Sequence, residues 1–368
     1  MKEITFILPG KEDKPVGGYK IVYEYANRFA NADYKVNLIY HHIELDYKDR
    51  NLFLRVKRYF GFLYHRARHH YSAGEWFNLS PKINKVYLYR TNNRGMKKFR
   101  NSYAIATAVQ TAYELNKIKC IPDERKFYFI QDFEAWNGKT DEYVYNSYKF
   151  PMTKIVIAPW LKERVEKAGS TAYLVPNGFD FEYFGLKTPI ENRKPYEVTM
   201  LYHLDDRKRC CDSMKALETV KKEIPDLHVT MFGTPDRPQN LPEWYSYYKC
   251  PDRETHNRIL NDTAVFVAAS KAEGMALPPA ESLICGCALA CTDIPGFALY
   301  AKNNETALTS PVYDTEALAK NIIKLIKNDE LRIKIAGNGN KFIKTFTWEK
   351  AFTSFKSILD KENANKVN

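Results

Sequence analysis

The 368-residue sequence has no apolar run near the roughly 18 to 20 residues that a membrane-spanning helix requires. Its N-terminus, Met1 to Pro9, enters a strand pattern at once and carries no signal-peptide apolar region. The seven cysteines are odd in number and form no Cys-x-x-Cys motif or recognisable zinc pattern. We interpret them as small buried side chains. These absences argue against an integral membrane protein and a disulfide framework, and predict a cytoplasmic protein.

The sequence also lacks a complete G-x-G-x-x-G motif and a Walker lysine. A predicted strand, Ile4 to Leu8, is nevertheless followed by a loop that ends in Gly17 and Gly18 and by a predicted helix, Tyr19 to Ala30. The two glycines would let backbone amides approach a phosphate closely. A tight turn explains them equally well.

Positive charge is concentrated in the first half of the chain. Residues 1–180 hold 30 Lys and Arg against 19 Asp and Glu, whereas residues 181–368 hold 26 against 25. A basic half predicts an anionic partner, and nucleic acid, an anionic membrane surface and a phosphate-bearing substrate all fit.

The segment Leu52 to Tyr71 interleaves basic and aromatic residues. Such a helix suits a membrane interface with anionic lipid, stacking on single-stranded nucleic acid, or packing of its aromatic side on its own domain. The cations for which we predict membrane or acceptor contact are Arg55, Lys57, Arg58, Arg66 and Arg68.

Short apolar runs alternate with helical patterns along the whole chain, which predicts an α/β protein with doubly wound parallel sheets. The pattern stops at a polar, linker-like segment, Phe181 to Pro195, and then restarts. In the second half, Leu241 to Tyr248 is among the stretches predicted as helix. We therefore expect an N-terminal domain at 1–180, a second domain at 181–345, and a C-terminal helix and tail at 346–368 that return towards the N-terminal domain.

The stretch Ser270 to Asp293 combines a loop and a helix N-terminus with two carboxylates. An apolar strand, Thr263 to Ser270, precedes it, so that Glu273 lies at a strand's carboxyl end and Glu281 in the first turn of the next helix. Pro278 or Pro279 suits the first helical position, and Gly286 suits the left-handed stop.

Two carboxylates beside free backbone amides could bind sugar hydroxyls while the amides take a phosphate, which favours a nucleotide sugar as ligand. The alternative is that Glu281 only complements the helix dipole and Glu273 is a solvated loop residue. The pair Arg207 and Lys208 follows the predicted strand Glu197 to Tyr202. Two cations there would stabilise a departing nucleoside diphosphate, which gains negative charge in the transition state.

Taken in this order, the motifs resemble glycosyltransferase family 4, whose members have the GT-B fold of two Rossmann-like domains facing across a cleft. The most specific element is the Glu-x7-Glu motif of Glu273 and Glu281. Supporting elements are Gly17-Gly18, Pro176-Asn-Gly-Phe-Asp180, Arg207-Lys208, Asn328-Asp329, Leu331-Arg332 and Phe346-Thr-Trp348-Glu349. The segments Tyr128 to Glu134 and Met200 to Tyr202 with Arg207-Lys208 most resemble the bacterial rhamnosyltransferase branch.

The resemblance implies a role for each matching residue. Glu281 would hold the ribose hydroxyls, Glu273 the 3-hydroxyl of the transferred sugar, and Arg207 and Lys208 the diphosphate as catalytic cations. The remaining donor-binding residues would be Gly17, Gly18, Gln131, Asp132, Gly274, Met275, Ala276 and Leu277. The departing phosphate would take the acceptor's proton, which would explain why no catalytic base stands out.

Two positions depart from the family pattern. Gln131-Asp132 stands where members with glucose-like donors usually have His-Asp, which fits a 6-deoxy sugar such as rhamnose. Arg209 stands where most members carry Gly, which leaves the geometry of that turn open.

The resemblance implies a retaining, metal-independent transferase that needs no cofactor and uses a dTDP- or UDP-linked sugar. Its acceptor would be a glycan or lipid-diphosphate-linked glycan of a bacterial cell-surface polysaccharide. Such an acceptor favours peripheral contact with the anionic inner face of the plasma membrane and no nucleic acid. The alternatives are another GT-B nucleotide-sugar enzyme, such as an epimerase, and a basic nucleic-acid-binding protein, for which no recognition motif is found.

Overall fold

The computed structural model describes residues 1–41, 52–68, 73–136 and 138–364. The chain divides into two compact units. Unit 1 contains residues 1–176 and 351–368, and unit 2 contains residues 177–350.

The sheet of unit 1 has seven parallel strands in the described residues. They are β1 Glu3–Leu8, β2 Lys35–His41, β3 Asn84–Leu88, β4 Tyr103–Ala106, β5 Lys126–Ile130, β6 Thr153–Val156 and β7 Ala172–Leu174. Their order across the sheet is β3-β2-β1-β4-β5-β6-β7, so the direction of winding reverses between β1 and β4. Strands β4 and β5 are buried along their whole length, as expected where helices cover both faces of a sheet.

The helices of unit 1 that precede residue 176 connect these strands. They are α1 Gly17–Asn31, α2 Leu52–Ala67, α3 Asn93–Met96, α4 Val109–Asn116, α5 Asp141–Tyr148 and α6 Pro159–Lys167. A single 3₁₀ turn, Lys97–Phe99, continues α3 towards β4.

The sheet of unit 2 has six parallel strands. They are β8 Glu197–Tyr202, β9 His228–Gly233, β10 Tyr245–Lys249, β11 Val265–Ala268, β12 Ala288–Thr292 and β13 Leu308–Ser310. Their order is β10-β9-β8-β11-β12-β13, which repeats the winding of unit 1 and reverses between β8 and β11. Ligands of open α/β sheets bind at the carboxyl ends of the strands beside such a reversal.

The remaining helices are α7 Cys210–Glu223, α8 Arg253–Asp262, α9 Leu277–Ile284, α10 Thr315–Lys327, α11 Asp329–Ile343 and α12 Trp348–Ala364. The segment predicted as a linker packs on unit 2 through Arg193, which is only 4% exposed. Its guanidinium donates hydrogen bonds to the carbonyl oxygens of Thr263 (2.7 Å), Leu260 (3.2 Å) and Cys285. This cation satisfies carbonyls that the ends of α8 and α9 leave without helical partners.

Helix α12 belongs to unit 1 from Ala351 onward. There the ring of Phe355 lies 4.6 Å from Tyr25, 5.9 Å from Phe29 and 5.4 Å from Phe129, measured between ring centroids. Aromatic packing of this kind holds the helix on α1 and β5.

The predicted fold class is confirmed, because two α/β units with doubly wound parallel sheets are present. The predicted helix over Leu241 to Tyr248 is wrong: Tyr245–Lys249 is β10, paired with β9. Three tyrosines in five residues favour a strand. The interpretation of the cysteines as buried holds for Cys210, Cys285, Cys287 and Cys291, but Cys211 and Cys250 are exposed and Cys120 is half-buried.

Candidate functional site in unit 2

The candidate site lies where the winding of unit 2 reverses. Strands β8 and β11 are neighbours, with Met200 opposite Val267, so the loops that follow them emerge side by side. The β8 loop carries Arg207 and Lys208, and the β11 loop carries Glu273. The sheet order therefore brings together residues that are 65 or more positions apart in the sequence.

Both carboxylate oxygens of Glu273 accept hydrogen bonds from neighbouring side chains. Lys208 Nζ donates to both of its oxygens, at 2.7 Å to Oε1 and 2.8 Å to Oε2, and Ser270 Oγ donates to Oε1 at 2.8 Å. The Glu273 side chain is only 10% exposed and that of Lys208 20%. Glu273 is thus a half-buried, charge-paired residue, and the alternative of a solvated loop carboxylate is wrong.

The turn before Lys208 is built around Asp205. Its carboxylate accepts the Arg207 backbone N–H at 2.9 Å and the Arg207 guanidinium at 2.7 Å. Burial acts to raise the pKa of Asp205, but these hydrogen bonds hold that pKa below its usual value. His203 Nδ1 accepts the Asp205 backbone N–H at 2.9 Å, and burial together with the nearby Lys208 charge lowers the pKa of His203. His203 therefore lies among the charged side chains of this turn, and its Nδ1 accepts a hydrogen bond there.

Arg209 occupies the turn that the sequence left open. Its backbone is left-handed, with φ 47° and ψ 41°, which costs a non-glycine residue about 1–2 kcal/mol. The guanidinium donates to Asp206 at 2.6 Å and to Asp212 at 2.8 Å, and it lies 5.2 Å from the centre of the Tyr313 ring. An arginine thus adopts the conformation that glycine would favour, held there by two carboxylates and an aromatic face.

The two loops are also joined directly. The backbone N–H of Lys271 donates to the Arg207 carbonyl oxygen at 2.8 Å, and Lys271 Nζ forms a salt bridge with Asp206. Hydrogen bonds from Lys271 and Arg209 lower the pKa of Asp206. The relative position of Arg207, Lys208 and Glu273 is therefore fixed by backbone as well as side-chain contacts.

Helix α9 places Glu281 one turn deeper than predicted. The helix begins at Leu277, so Pro278 is its second residue and Glu281 its fifth, and Gly286 has the predicted left-handed φ of +85°. Glu281 is only 6% exposed, so it is a buried carboxylate rather than a surface complement to the helix dipole. Since prolines carry no N–H, the backbone donors before it come from the segment 274–277.

Three residues that sequence reasoning did not select support the Glu273 loop. Thr292 Oγ1 donates to the Ser270 carbonyl oxygen, and Tyr300 Oη donates to the Ala276 carbonyl oxygen at 2.8 Å. Gly296 packs directly on Glu273: a Cβ there would lie 2.6 Å from Glu273 Cβ and closer still to its carbonyl oxygen. The Pro295-Gly296 pair after β12 was the available signal, since such dipeptides mark turns.

The predicted donor-binding residues of unit 1 also lie near one another. Gly17 and Gly18 are the first two residues of α1 rather than part of the preceding loop. A Cβ on Gly18 would lie 3.6 Å from Gln131 Nε2, so Gln131, which follows β5, reaches the start of α1. Asp132 Oδ1 accepts the Phe133 backbone N–H at 2.8 Å.

The predicted membrane-contact cations lie on or just after α2. Lys57, Arg66 and Arg68 are exposed and Arg58 is half-buried. The side chain of Arg55 and residues 69–71 lie outside the part of the chain that the structure describes. None of the helices in the described ranges combines the length and apolar character needed to cross a membrane.

The family model described as "Glycosyl transferases group 1" matches residues 187–342. This range covers most of unit 2 and contains all the site residues of that unit, so unit 2 is similar to group 1 glycosyl transferases. Among curated relatives, the phosphatidyl-myo-inositol mannosyltransferase of Mycobacterium tuberculosis is 23% identical over 199 residues. That alignment covers 50% of this chain and 53% of the relative, so it spans about half the length of the curated protein.

Two solved structures match nearly the whole chain. Staphylococcus aureus TarM, in complex with UDP, aligns with a TM-score of 0.73 at 11% identity, over 98% of this chain and 100% of that one. Anabaena Alr3699/HepE, in complex with UDP and glucose, aligns with a TM-score of 0.73 at 13% identity and the same coverage. The likeness shows that both units share the GT-B fold of these proteins.

Proposed function

We propose that the protein is a glycosyltransferase that moves a sugar from a nucleoside-diphosphate donor to a glycan acceptor. The observation that carries this proposal is the position of Glu273, Lys208 and Arg207 at the sheet reversal of unit 2, beside α9 and its buried Glu281. The family model matched to unit 2 and the UDP-containing structural relatives support it.

The donor's diphosphate would lie against Arg207 and Lys208. An ammonium group has three N–H donors, and Lys208 uses two directions towards Glu273. The third can turn to a phosphate oxygen without breaking the pair. Because Lys208 is already positioned by Glu273, the cation would be preorganised for the charge that develops on the departing diphosphate.

The two carboxylates would have separate tasks. Glu273, held by Lys208 and Ser270, would accept a hydrogen bond from the 3-hydroxyl of the transferred sugar. Glu281 would accept hydrogen bonds from the ribose hydroxyls. A buried carboxylate binds a hydroxyl more strongly than an exposed one, because water competes less for its oxygens.

In the proposed reaction, the bond between the anomeric carbon and the diphosphate oxygen breaks, and a bond from the acceptor oxygen to that carbon forms on the same face. The acceptor's proton passes to the departing diphosphate, so configuration is retained. No other general base is required, and we expect neither a metal ion nor a cofactor to take part.

We further propose a dTDP- or UDP-linked hexose or 6-deoxyhexose, with rhamnose favoured by Gln131, as donor. The acceptor would be a lipid-diphosphate-linked glycan of a bacterial cell-surface polysaccharide. The basic helix α2 would then bring the enzyme to the anionic inner face of the plasma membrane, where such acceptors are presented. The protein would then act in the cytoplasm as a peripheral enzyme.

Thermal unfolding with nucleotides tests the proposal. UDP or dTDP, at 100 times its dissociation constant, should add about 2.7 kcal/mol of apparent stability, and the corresponding sugar nucleotide should act alike. ADP serves as the control nucleotide, and EDTA should leave the response unchanged. No response to any pyrimidine diphosphate, together with tight, salt-sensitive binding of single-stranded DNA, would reject a glycosyltransferase.

A further inference from the structure

Unit 1 contains a basic groove that the sequence did not reveal as one site. It is open, has a volume of about 640 Å³, and is lined by Arg66 of α2 and by cations of the segment that crosses from β3 to β4. Those cations are Arg94, Lys97, Lys98 and Arg100, all exposed. We call these five residues the groove cations.

The groove cations have no acidic partner in the part of the chain that the structure describes. Among the described residues, no carboxylate lies within salt-bridge distance of any of them. Glu3, the one carboxylate among the described residues that line the groove, is already paired with Lys35 at 3.1 Å and accepts a hydrogen bond from Asn37 at 2.9 Å. From position 52 to 101 the sequence holds twelve Lys and Arg and a single acidic residue, Glu75. The groove thus presents a positive potential that an anionic ligand would satisfy.

The helix that supplies Arg66 also exposes an apolar face. Phe53, Val56, Phe60 and Leu63 follow one another at intervals of three, four and three residues and therefore share one side of α2. They are 75%, 46%, 64% and 39% exposed. The helix packs on its own unit through Phe62, which is only 4% exposed and contacts the Tyr89 ring.

An apolar helix face next to a basic groove fits an amphiphilic anion. A soluble phosphate compound would satisfy the groove cations but would leave the apolar face in water. An anionic phospholipid satisfies both, because its phosphate can enter the groove while the side chains of α2 enter the headgroup and acyl boundary. Arg66 lies one turn after Leu63, so the two features are continuous along the helix.

Building on the proposed function, we propose that the groove is a headgroup site for anionic phospholipid, with α2 as its apolar anchor. The sequence-based hypothesis assigned membrane contact to α2 alone. The structure adds the cations of the segment between β3 and β4 to this contact surface. Substituting them therefore separates binding of a headgroup in the groove from general attraction of a basic helix to anionic lipid.

Co-sedimentation with vesicles tests the site. Wild-type protein should bind phosphatidylcholine vesicles that contain phosphatidylglycerol and should not bind phosphatidylcholine alone. Replacing Arg94, Lys97 and Arg100 with Gln should weaken binding by on the order of a hundredfold, since each cation near an anionic surface contributes about a factor of five. A second variant, Phe53→Gln with Phe60→Gln, should weaken binding to the same vesicles while leaving the groove intact.

A charge-matched control replaces three exposed lysines of unit 2, Lys320, Lys324 and Lys344, with Gln. This control should bind vesicles like the wild type. Equal loss in the control and the groove variant would overturn the site, because net charge alone would then explain binding. Retained vesicle binding by the groove variant would also overturn the site. So would the combination of two results: tripolyphosphate abolishes wild-type vesicle binding, and the variant with both Phe substitutions binds vesicles like the wild type.

The outcome is separable from the proposed function. The groove variant should keep the full thermal response to UDP or dTDP, since none of its substitutions lies in unit 2. Vesicle binding without any nucleotide response would reject the glycosyltransferase and leave the lipid site standing. Conversely, a thermal response to UDP or dTDP, together with vesicle binding that the groove substitutions leave unchanged, would reject the lipid site and leave the glycosyltransferase proposal standing.

Discussion

At the scale of single residues, the ion pair between Lys208 and Glu273 organises the candidate site. Each partner keeps the other in place, and Ser270 adds a third hydrogen bond to the carboxylate. Glu273, which we propose binds a sugar hydroxyl, is therefore held in position before any ligand binds. Preorganisation of this kind lowers the cost of binding and of reaching the transition state.

Unit 1 contains a buried histidine whose protonation should control its acid stability. His41 is 1% exposed, its Nδ1 bonds the Leu8 carbonyl oxygen at 2.9 Å, and its Nε2 bonds Thr91 Oγ1. Burial lowers the pKa of His41 from 6.5 to about 4. Between these values the unfolded chain binds a proton that the folded protein does not, so stability falls as the pH drops.

We therefore predict that His41→Gln reduces the pH dependence of unfolding. The wild type should lose, from pH 6.5 to 4, on the order of 3 kcal/mol more unfolding free energy than the variant. Urea denaturation at a series of pH values measures the difference. The exposed His65→Gln serves as a control and should behave like the wild type. An identical pH dependence for His41→Gln would show that His41 titrates normally.

Motif and spacing predicted the residue types of the site but not their pairing. Glu273, Glu281, Arg207 and Lys208 were selected because carboxylates and cations follow strand patterns. The contact between Lys208 and Glu273 depends on β8 and β11 being neighbours, which no local pattern encodes. Arg209 shows the same limit in part: its salt bridge with Asp212 is local, but the Tyr313 ring beside its guanidinium comes from a distant part of the chain.

At the scale of secondary structure, the Glu273 loop is shaped by the turn after β12. Gly296 leaves no room for a side chain, because its Cβ would press on the Glu273 backbone. The loop can therefore keep its position only with glycine at this site. The close approach of two loops explains this glycine, since its φ is not in the left-handed region.

Gly296→Ala should consequently displace Glu273 and lower transfer activity by at least tenfold, while the protein still folds. The matched control is Gly337→Ala in α11, where a Cβ would meet no atom within 4 Å. That control should keep full activity and gain about 1 kcal/mol of stability, as alanine favours a helix over glycine. Steady-state kinetics and urea denaturation measure both variants. Full activity in Gly296→Ala would show that the loop tolerates the displacement.

Most helices and strands could be predicted from the sequence, since long apolar patterns identify them. The stretch Leu241 to Tyr248 was predicted wrongly: its tyrosines favour a strand, but the pairing with β9 that forms β10 is not visible in the sequence. The three-residue β13 is too short to produce a pattern. For α2 the sequence predicted basic and aromatic character, but only the structure shows that Phe62 is buried while Phe53 and Phe60 are exposed.

At the scale of the whole molecule, the two units have the same winding but different charge. Unit 2 is nearly neutral and carries the candidate donor site, whereas the first half of the chain holds almost all of the net charge of +12. This division fits a nucleotide-binding unit and a unit that meets an anionic surface. The alternation of strand and helix patterns predicted two doubly wound parallel sheets. The strands between which the winding reverses could be identified only from the structure.

The central claim is that unit 2 binds a nucleotide sugar through two carboxylates with separate tasks. Titration calorimetry of UDP and dTDP, combined with transfer kinetics, tests it in the wild type and in Glu281→Gln and Glu273→Gln, which preserve side-chain size. Glu281→Gln should weaken nucleotide binding about tenfold or more, as expected for loss of a hydrogen bond to a charged group. Glu273→Gln should bind the free nucleotide within about threefold of wild type and lose on the order of a hundredfold in turnover. Equal and negligible effects of both substitutions would contradict the account.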